Sequence, residues 1–349
     1  MQIAIAIAIA ILIVLATLYL AYSYRAPNLS QYDLPRAPLV IEEQEVSDAH
    51  NEVVSRIQAF IAASDDKASI TIQRQNMEEL MESAVPATIM PVDVNGIPGE
   101  WVIADGANPG KRLLYLHGGG FRLGSPKSHR HITYELSKRA GVAVLAVDYR
   151  MQPEYKTVAC HEDARKAYRW VLEHGPNGPE PIESLYIAGD SAGGNLSLSV
   201  IAWARDAGVR PAEAVVAFAP VTDLTMTNPS WRSNIPTDPF LGPLITPLSK
   251  LPRWVLALVT RNTTGKPINH PEISPLLGNL ANLPPTLIQV SRDEVLFDDA
   301  QRYANRANHQ GSDVELNVWP KLVHVFQAFK ELPESGAALQ LAADFITAR

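Results

Sequence analysis

Beyond Lys111 the chain keeps one rhythm, short apolar runs alternating with longer amphipathic stretches. The runs are Leu113–Leu116, Val142–Val147, Leu185–Ala188, Ala214–Phe218, Thr286–Val290 and Val314–Val318. Between several of them lie stretches of helical spacing, such as Ala159–His174 and Ala192–Ala207. Strand, helix, strand in this order predicts an α/β fold with a mostly parallel central sheet and helices on both faces. Upstream, the pattern from Ser47 to about Ser83 is helical, with Val53, Ile57, Phe60 and Ile61 at apolar helix spacing. Two strand-like runs then flank Asn95-Gly96, a hairpin signal.

Two segments break the rhythm. Residues 223–271 are proline-rich and then apolar, as in "DPFLGPLITPLSKLPRWVLALVTRN". This is too long for an ordinary connection and marks an insertion or lid, whose large apolar groups are explained if they cover something. At the other end, "IAIAIAIAILIVLATLYLAY" carries no charged residue. As a helix it would cover the roughly 30 Å hydrocarbon core at about 1.5 Å per residue, so residues 1–24 are expected to form a transmembrane anchor contacting the lipid bilayer. A cleaved signal peptide is the competing reading, but Met1-Gln2 supplies no basic n-region. Arg25 and Arg36 follow the span and no basic residue precedes it, which favours placing the bulk of the protein in the cytoplasm. Residues 25–46, with three prolines in "RAPNLSQYDLPRAPLV", read as a linker.

Composition narrows the function classes. The chain has 349 residues, 46% of them hydrophobic, enough to bury a large core. Its formal net charge is −7, with no dense basic block, which argues against nucleic acid as a partner. Cys160 is the single cysteine, so no intramolecular disulfide can form; it falls in line with Ala164, Ala167 and Val171 and reads as a core residue. The histidines form no His-x-x-x-His or His-Glu-x-x-His pattern, and neither a metal nor a cofactor is expected.

The chemistry is concentrated at strand ends. "LYIAGDSAGGNLSLSV" places Ser191 in a Gly-x-Ser-x-Gly pattern between a strand candidate and an apolar helix. A tight strand–turn–helix lifts such a serine above the sheet, and the flanking glycines avoid collisions within the turn. A serine alcohol needs a base, expected downstream after an Asp or Glu. Asp293 lies just past Thr286–Val290, with Glu294 its nearest rival and Asp298 and Asp299 on the following helix. His324 follows the last strand. A further strand end carries "HGGG", and consecutive glycines there weaken the structure. They let backbone N–H groups approach a developing oxyanion with no Cβ in the way.

In this order, "HGGGF" (His117–Phe121), "DYRMQPE" (Asp148–Glu154), "GDSAGGN" (Gly189–Asn195), "DEVLFDD" (Asp293–Asp299) and "HVF" (His324–Phe326) resemble the hormone-sensitive-lipase-like branch of the α/β-hydrolases. That branch includes bacterial type IV carboxylesterases and acetyl-hydrolases. The resemblance covers roughly Pro86 to Arg349. It implies the α/β-hydrolase fold with Ser191 as nucleophile, His324 as base and Asp293 as the orienting acid. It also implies that Gly119, Gly120 and Ala192 supply the oxyanion N–H groups while Gly118 shapes the turn. Family members carry a helical cap, which suits residues 47–85 and the insertion 223–271 within a hydrolase domain 86–349. Two departures stand out: "YKTVAC" follows the Tyr-Arg-x-x-Pro-Glu motif where further prolines are common, and "HVF" replaces His-Gly-Phe.

The expected function is hydrolysis of a small or lipophilic carboxylic ester. Lactone, amide or thioester hydrolysis by the same triad is the alternative, and a non-catalytic ligand-binding protein on the same shell is the rival from another class. Oligomeric state is not legible.

Overall fold

A computed structural model describes residues 2–23, 28–33, 39–40, 47–65 and 67–349. Its strands are β1 (Leu39–Val40), β2 (Thr88–Asp93), β3 (Pro98–Ile103), β4 (Asn108–Leu116), β5 (Val142–Val147), β6 (His174–Gly175), β7 (Gly178–Pro179), β8 (Ser184–Asp190), β9 (Ala214–Phe218), β10 (Thr286–Ser291) and β11 (Val314–Trp319). Its helices are α1 (Gln2–Ser23), α2 (Asp48–Ala63), α3 (Ile70–Met81), α4 (Arg130–Ala140), α5 (Thr157–Glu173), α6 (Ala192–Asp206), α7 (Ser230–Ser233), α8 (Leu241–Ser249), α9 (Arg253–Thr264), α10 (Phe297–His309) and α11 (Pro333–Thr347).

Nine strands form one sheet in the order β1-β11-β10-β9-β8-β4-β5-β3-β2. All neighbours are parallel except β2 with β3 and β3 with β5. The apolar runs are continuous because both faces of the sheet are covered. In β5, Ala143, Leu145 and Val147 point to a core shared with Ala164 and Tyr168 of α5, Leu196 of α6 and Tyr303 of α10. Val142, Val144 and Ala146 point the other way, to a core with Leu136 of α4, Leu339 of α11 and Val53 and Ile57 of α2. Cys160 is buried in the first of these. Asn95 (φ 52°) and Gly96 (φ 86°) make the hairpin turn between β2 and β3, and Val94 donates to Ile97 across it at 2.8 Å. The helical stretch after Ser47 divides in two, each helix opened by a serine whose hydroxyl accepts a backbone N–H: Ser47 from His50 and Ser69 from Ile72.

The expected membrane anchor is corrected. Among the described residues, no helix is long and apolar enough to cross a membrane. With that, the bilayer as a partner, the single-pass placement and the topology drawn from Arg25 and Arg36 lose their basis. Both arginines, and most of the segment read as a linker, lie outside the described residues.

Candidate active site

β8 ends at Asp190 and α6 begins at Ala192, so the whole change of direction falls on Ser191, at φ 52° and ψ −115°. A non-glycine residue there is strained by about 1–3 kcal/mol and persists only where its surroundings over-determine it. They do: the Ser191 amide donates to the Phe218 carbonyl at 2.8 Å, and its carbonyl accepts from Asn195 and Val221. The flanking glycines are required by close packing. A Cβ on Gly193 would lie 1.8 Å from the Leu116 carbonyl oxygen, and one on Gly189 would lie 2.5 Å from that of Gly193.

His324 sits in the loop after β11, buried, with Nε2 2.9 Å from Ser191 Oγ. The edge-on ring of Phe240, from the insertion, stands 6.2 Å away. Its other nitrogen, Nδ1, faces Glu294 Oε2 at 3.5 Å, an ion-pair distance rather than a formed hydrogen bond. Catalytic hydrogen bonds are often this long without substrate.

Asp293 is not at His324. The N–H of Arg292 still donates to Trp319 and prolongs the β10–β11 pairing, so Asp293 is the first residue beyond it. Its Oδ2 accepts the Lys321 amide at 2.7 Å instead. Glu294, one residue further, turns inward and is fully buried. The structure thus brings Glu294, the sequence neighbour and rival of Asp293, to the His324 ring in place of the expected Asp293.

Burial lowers the basicity of His324, but the charge of Glu294, with those of Asp238 and Asp190, outweighs it and leaves the pKa above the ordinary 6.5. Burial likewise raises the Glu294 carboxyl, only partly offset by His324.

The glycine loop after β4 is tied to the elbow by one buried carboxylate. Asp190 Oδ1 accepts from the Gly118 amide at 2.9 Å and from the Tyr115 hydroxyl at 2.6 Å, while Oδ2 is 3.3 Å from His129 Nε2. Burial disfavours the charged Asp190, yet His129 and Tyr115 hold its pKa below the usual value. The Gly118 N–H is thus consumed and cannot face a substrate. Gly119 (φ 112°) and Gly120 (φ 64°) adopt positive φ, and among the described residues their amides enter no backbone hydrogen bond. Ala192 is the first residue of α6, so its amide has no intrahelical acceptor. His117 is a wall of this loop: burial, then His129, lowers its pKa to about 3, and its ring stacks on Tyr149 at 4.3 Å.

Sequence reasoning missed Asp190 and His129 as supports of the loop, and Asp238 beside the histidine. Each acts through a tertiary contact that leaves no periodic trace.

A strained, buried serine, a histidine and a buried carboxylate come together at the carboxyl ends of β8, β11 and β10. The α/β-hydrolase fold family matches residues 113–328. The chain is 38% identical over 256 residues to an acetyl-hydrolase of Streptomyces hygroscopicus, covering 73% of this chain and 81% of that protein. It is 38% identical over 245 residues to the carboxylesterase/phospholipase LipF of Mycobacterium tuberculosis, covering 70% and 63%. A crystal structure of an esterase from the bacterial hormone-sensitive lipase family superposes with a TM-score of 0.76 at 32% identity, over 87% of this chain and 99% of that one. The chain belongs to the α/β-hydrolase fold family, in its hormone-sensitive-lipase-like carboxylesterase branch. It is a carboxylesterase-type hydrolase.

Proposed function

We propose that Ser191, His324 and Glu294 work as a triad on a carboxylic ester with a short acyl group. The observation that carries this is Nε2 of His324 lying 2.9 Å from Ser191 Oγ, with Glu294 at its Nδ1. His324 takes the hydroxyl proton as Ser191 attacks the carbonyl carbon, then returns it to the leaving alcohol. Water repeats the cycle on the acyl-enzyme. The amides of Gly119, Gly120 and Ala192 receive the oxyanion, and Gly118 anchors their loop to Asp190. Likeness to an acetyl-hydrolase favours the short acyl group.

Residues 47–85 and 223–271 act as a cap. A cavity of about 690 Å³ supports this, lined by His50 and Val54 of α2, Pro239 and Gly242 of the insertion, and Leu322 and Val323 just before the histidine. A hydrolysis panel of p-nitrophenyl esters from acetyl to long acyl chains, beside lactones and amides, tests the reading. Turnover should be highest on short esters; preference for a lactone or amide would overturn it.

Two results are expected on the favoured ester. Only neutral His324 accepts the proton, and its pKa is raised, so kcat/KM should climb with pH through a midpoint above 6.5. A midpoint below 6.5 in the pH–rate profile would contradict the Glu294–His324 pairing. In Gly118→Ala the new Cβ would lie 2.0 Å from Asp190 Oδ2, so the loop must shift. The expected loss in kcat is roughly 10²–10³-fold, the size of one lost oxyanion donor; unchanged kcat would detach Gly118 from the oxyanion loop.

A further inference from the structure

The insertion does more than cover the site. Where the acid loop leaves β10, four successive backbone groups are held by insertion side chains. Asn234 Nδ2 donates to the carbonyls of Arg292 and Glu294, each at 2.9 Å. The Thr237 hydroxyl donates to the Asp293 carbonyl at 2.8 Å. Asp238 Oδ2 accepts the Val295 amide at 2.9 Å. Among the described residues, the Glu294 carboxylate is held by no insertion side chain; its contacts are the 3.5 Å approach to His324 Nδ1 and the Ser291 backbone. Its aim at His324 is therefore set by the backbone that carries it.

Asp238 is the node of this clasp. It is buried, and its second oxygen, Oδ1, accepts the amides of Phe240 at 3.0 Å and Leu241 at 2.8 Å. That turn presents the Phe240 ring to His324, and Phe60 of α2 backs Phe240 edge-on at 6.4 Å. One carboxylate thus fixes the loop of the acid through one oxygen and the wall beside the base through the other.

We infer that Asp238 is a positioning residue for the Glu294–His324 pair, so that the insertion completes the catalytic apparatus as well as enclosing it. The inference rests on the triad reading above. Asp238 touches no reacting atom; it acts through the Val295 amide and the Phe240 turn, and its charge adds to the field at His324. The charged groups acting on that imidazole are Glu294, Asp238 and Asp190, while on the flanking loops the Asp293 carboxylate accepts the Lys321 backbone amide.

The test is steady-state kinetics of full-length Asp238→Ala and Asp238→Asn on p-nitrophenyl acetate, beside Glu294→Gln. A misaligned acid should lower kcat about 10²-fold in Asp238→Ala, with KM nearly unchanged. Loss of its negative charge should also move the pH–rate midpoint down. Asp238→Asn keeps one acceptor oxygen and should fall between the alanine variant and the parent, a rescue that bulk packing would not produce. If Asp238→Ala does not fold, Asn234→Ala and Thr237→Val weaken the same clasp and should lower kcat in the same way. Folded Asp238 variants with parental kcat and midpoint, or parental kcat in both Asn234→Ala and Thr237→Val where Asp238→Ala fails to fold, would overturn the inference. If Glu294→Gln is itself unimpaired, the triad reading has failed instead.

Discussion

Ser191→Ala is expected to lower kcat by about 10⁶-fold, the loss seen when a triad nucleophile is removed, with fold and thermal stability retained. Stability should survive because the elbow does not depend on the hydroxyl. The strained φ is held by backbone bonds from Ser191 to Phe218, Val221 and Asn195, and alanine carries the same Cβ. The hydroxyl's hydrogen bond is to His324 Nε2, the group that would activate it. A fluorophosphonate probe should label the parent once and leave the variant unlabelled, while circular dichroism of the two coincides. Near-parental turnover by the purified variant would remove Ser191 from the mechanism, and with it the reading of the site.

The serine and the histidine were legible in the sequence because local chemistry announces them. Gly189 and Gly193 mark a turn that other residues would clash in, and His324 follows a strand marked by apolar Val314, Leu316 and Val318 alternating with Glu315 and Asn317. The strands were legible for a related reason: burial on both faces removes alternation, so β5 reads as an unbroken Val142–Val147 run. The sequence favours Asp293 over its rival Glu294, whereas the structure brings Glu294 to His324. Asp293 and Glu294 are adjacent and equally acidic, and which one turns inward depends on how far the β10–β11 pairing runs, a tertiary fact. Asp238 is 57 residues from the amide it binds, and nothing local marks it. In the reverse direction, the apolar N-terminal run invited a membrane span that the described helices do not supply.

Glu294→Gln should lower kcat by about 10⁴-fold, as when a triad carboxylate is made neutral and holds the imidazole in the wrong tautomer. Glutamine fills nearly the same volume, so the buried site should keep its packing. What disappears is the charge that stabilises the imidazolium formed as Ser191 attacks. That charge is also what keeps the His324 pKa above 6.5 despite burial. Without it burial prevails, so the residual activity should titrate at a lower pH than in the parent. Asp293→Asn is the paired control. Its Oδ2 serves the Lys321 amide, and asparagine's carbonyl oxygen can accept the same bond. The expected change is no more than about threefold, matching the roughly 0.5 kcal/mol typical of surface substitutions, with no movement of the midpoint. The opposite pattern, a crippled Asp293→Asn and an active Glu294→Gln, would return the orienting role to Asp293 and require the loop to rearrange when substrate binds.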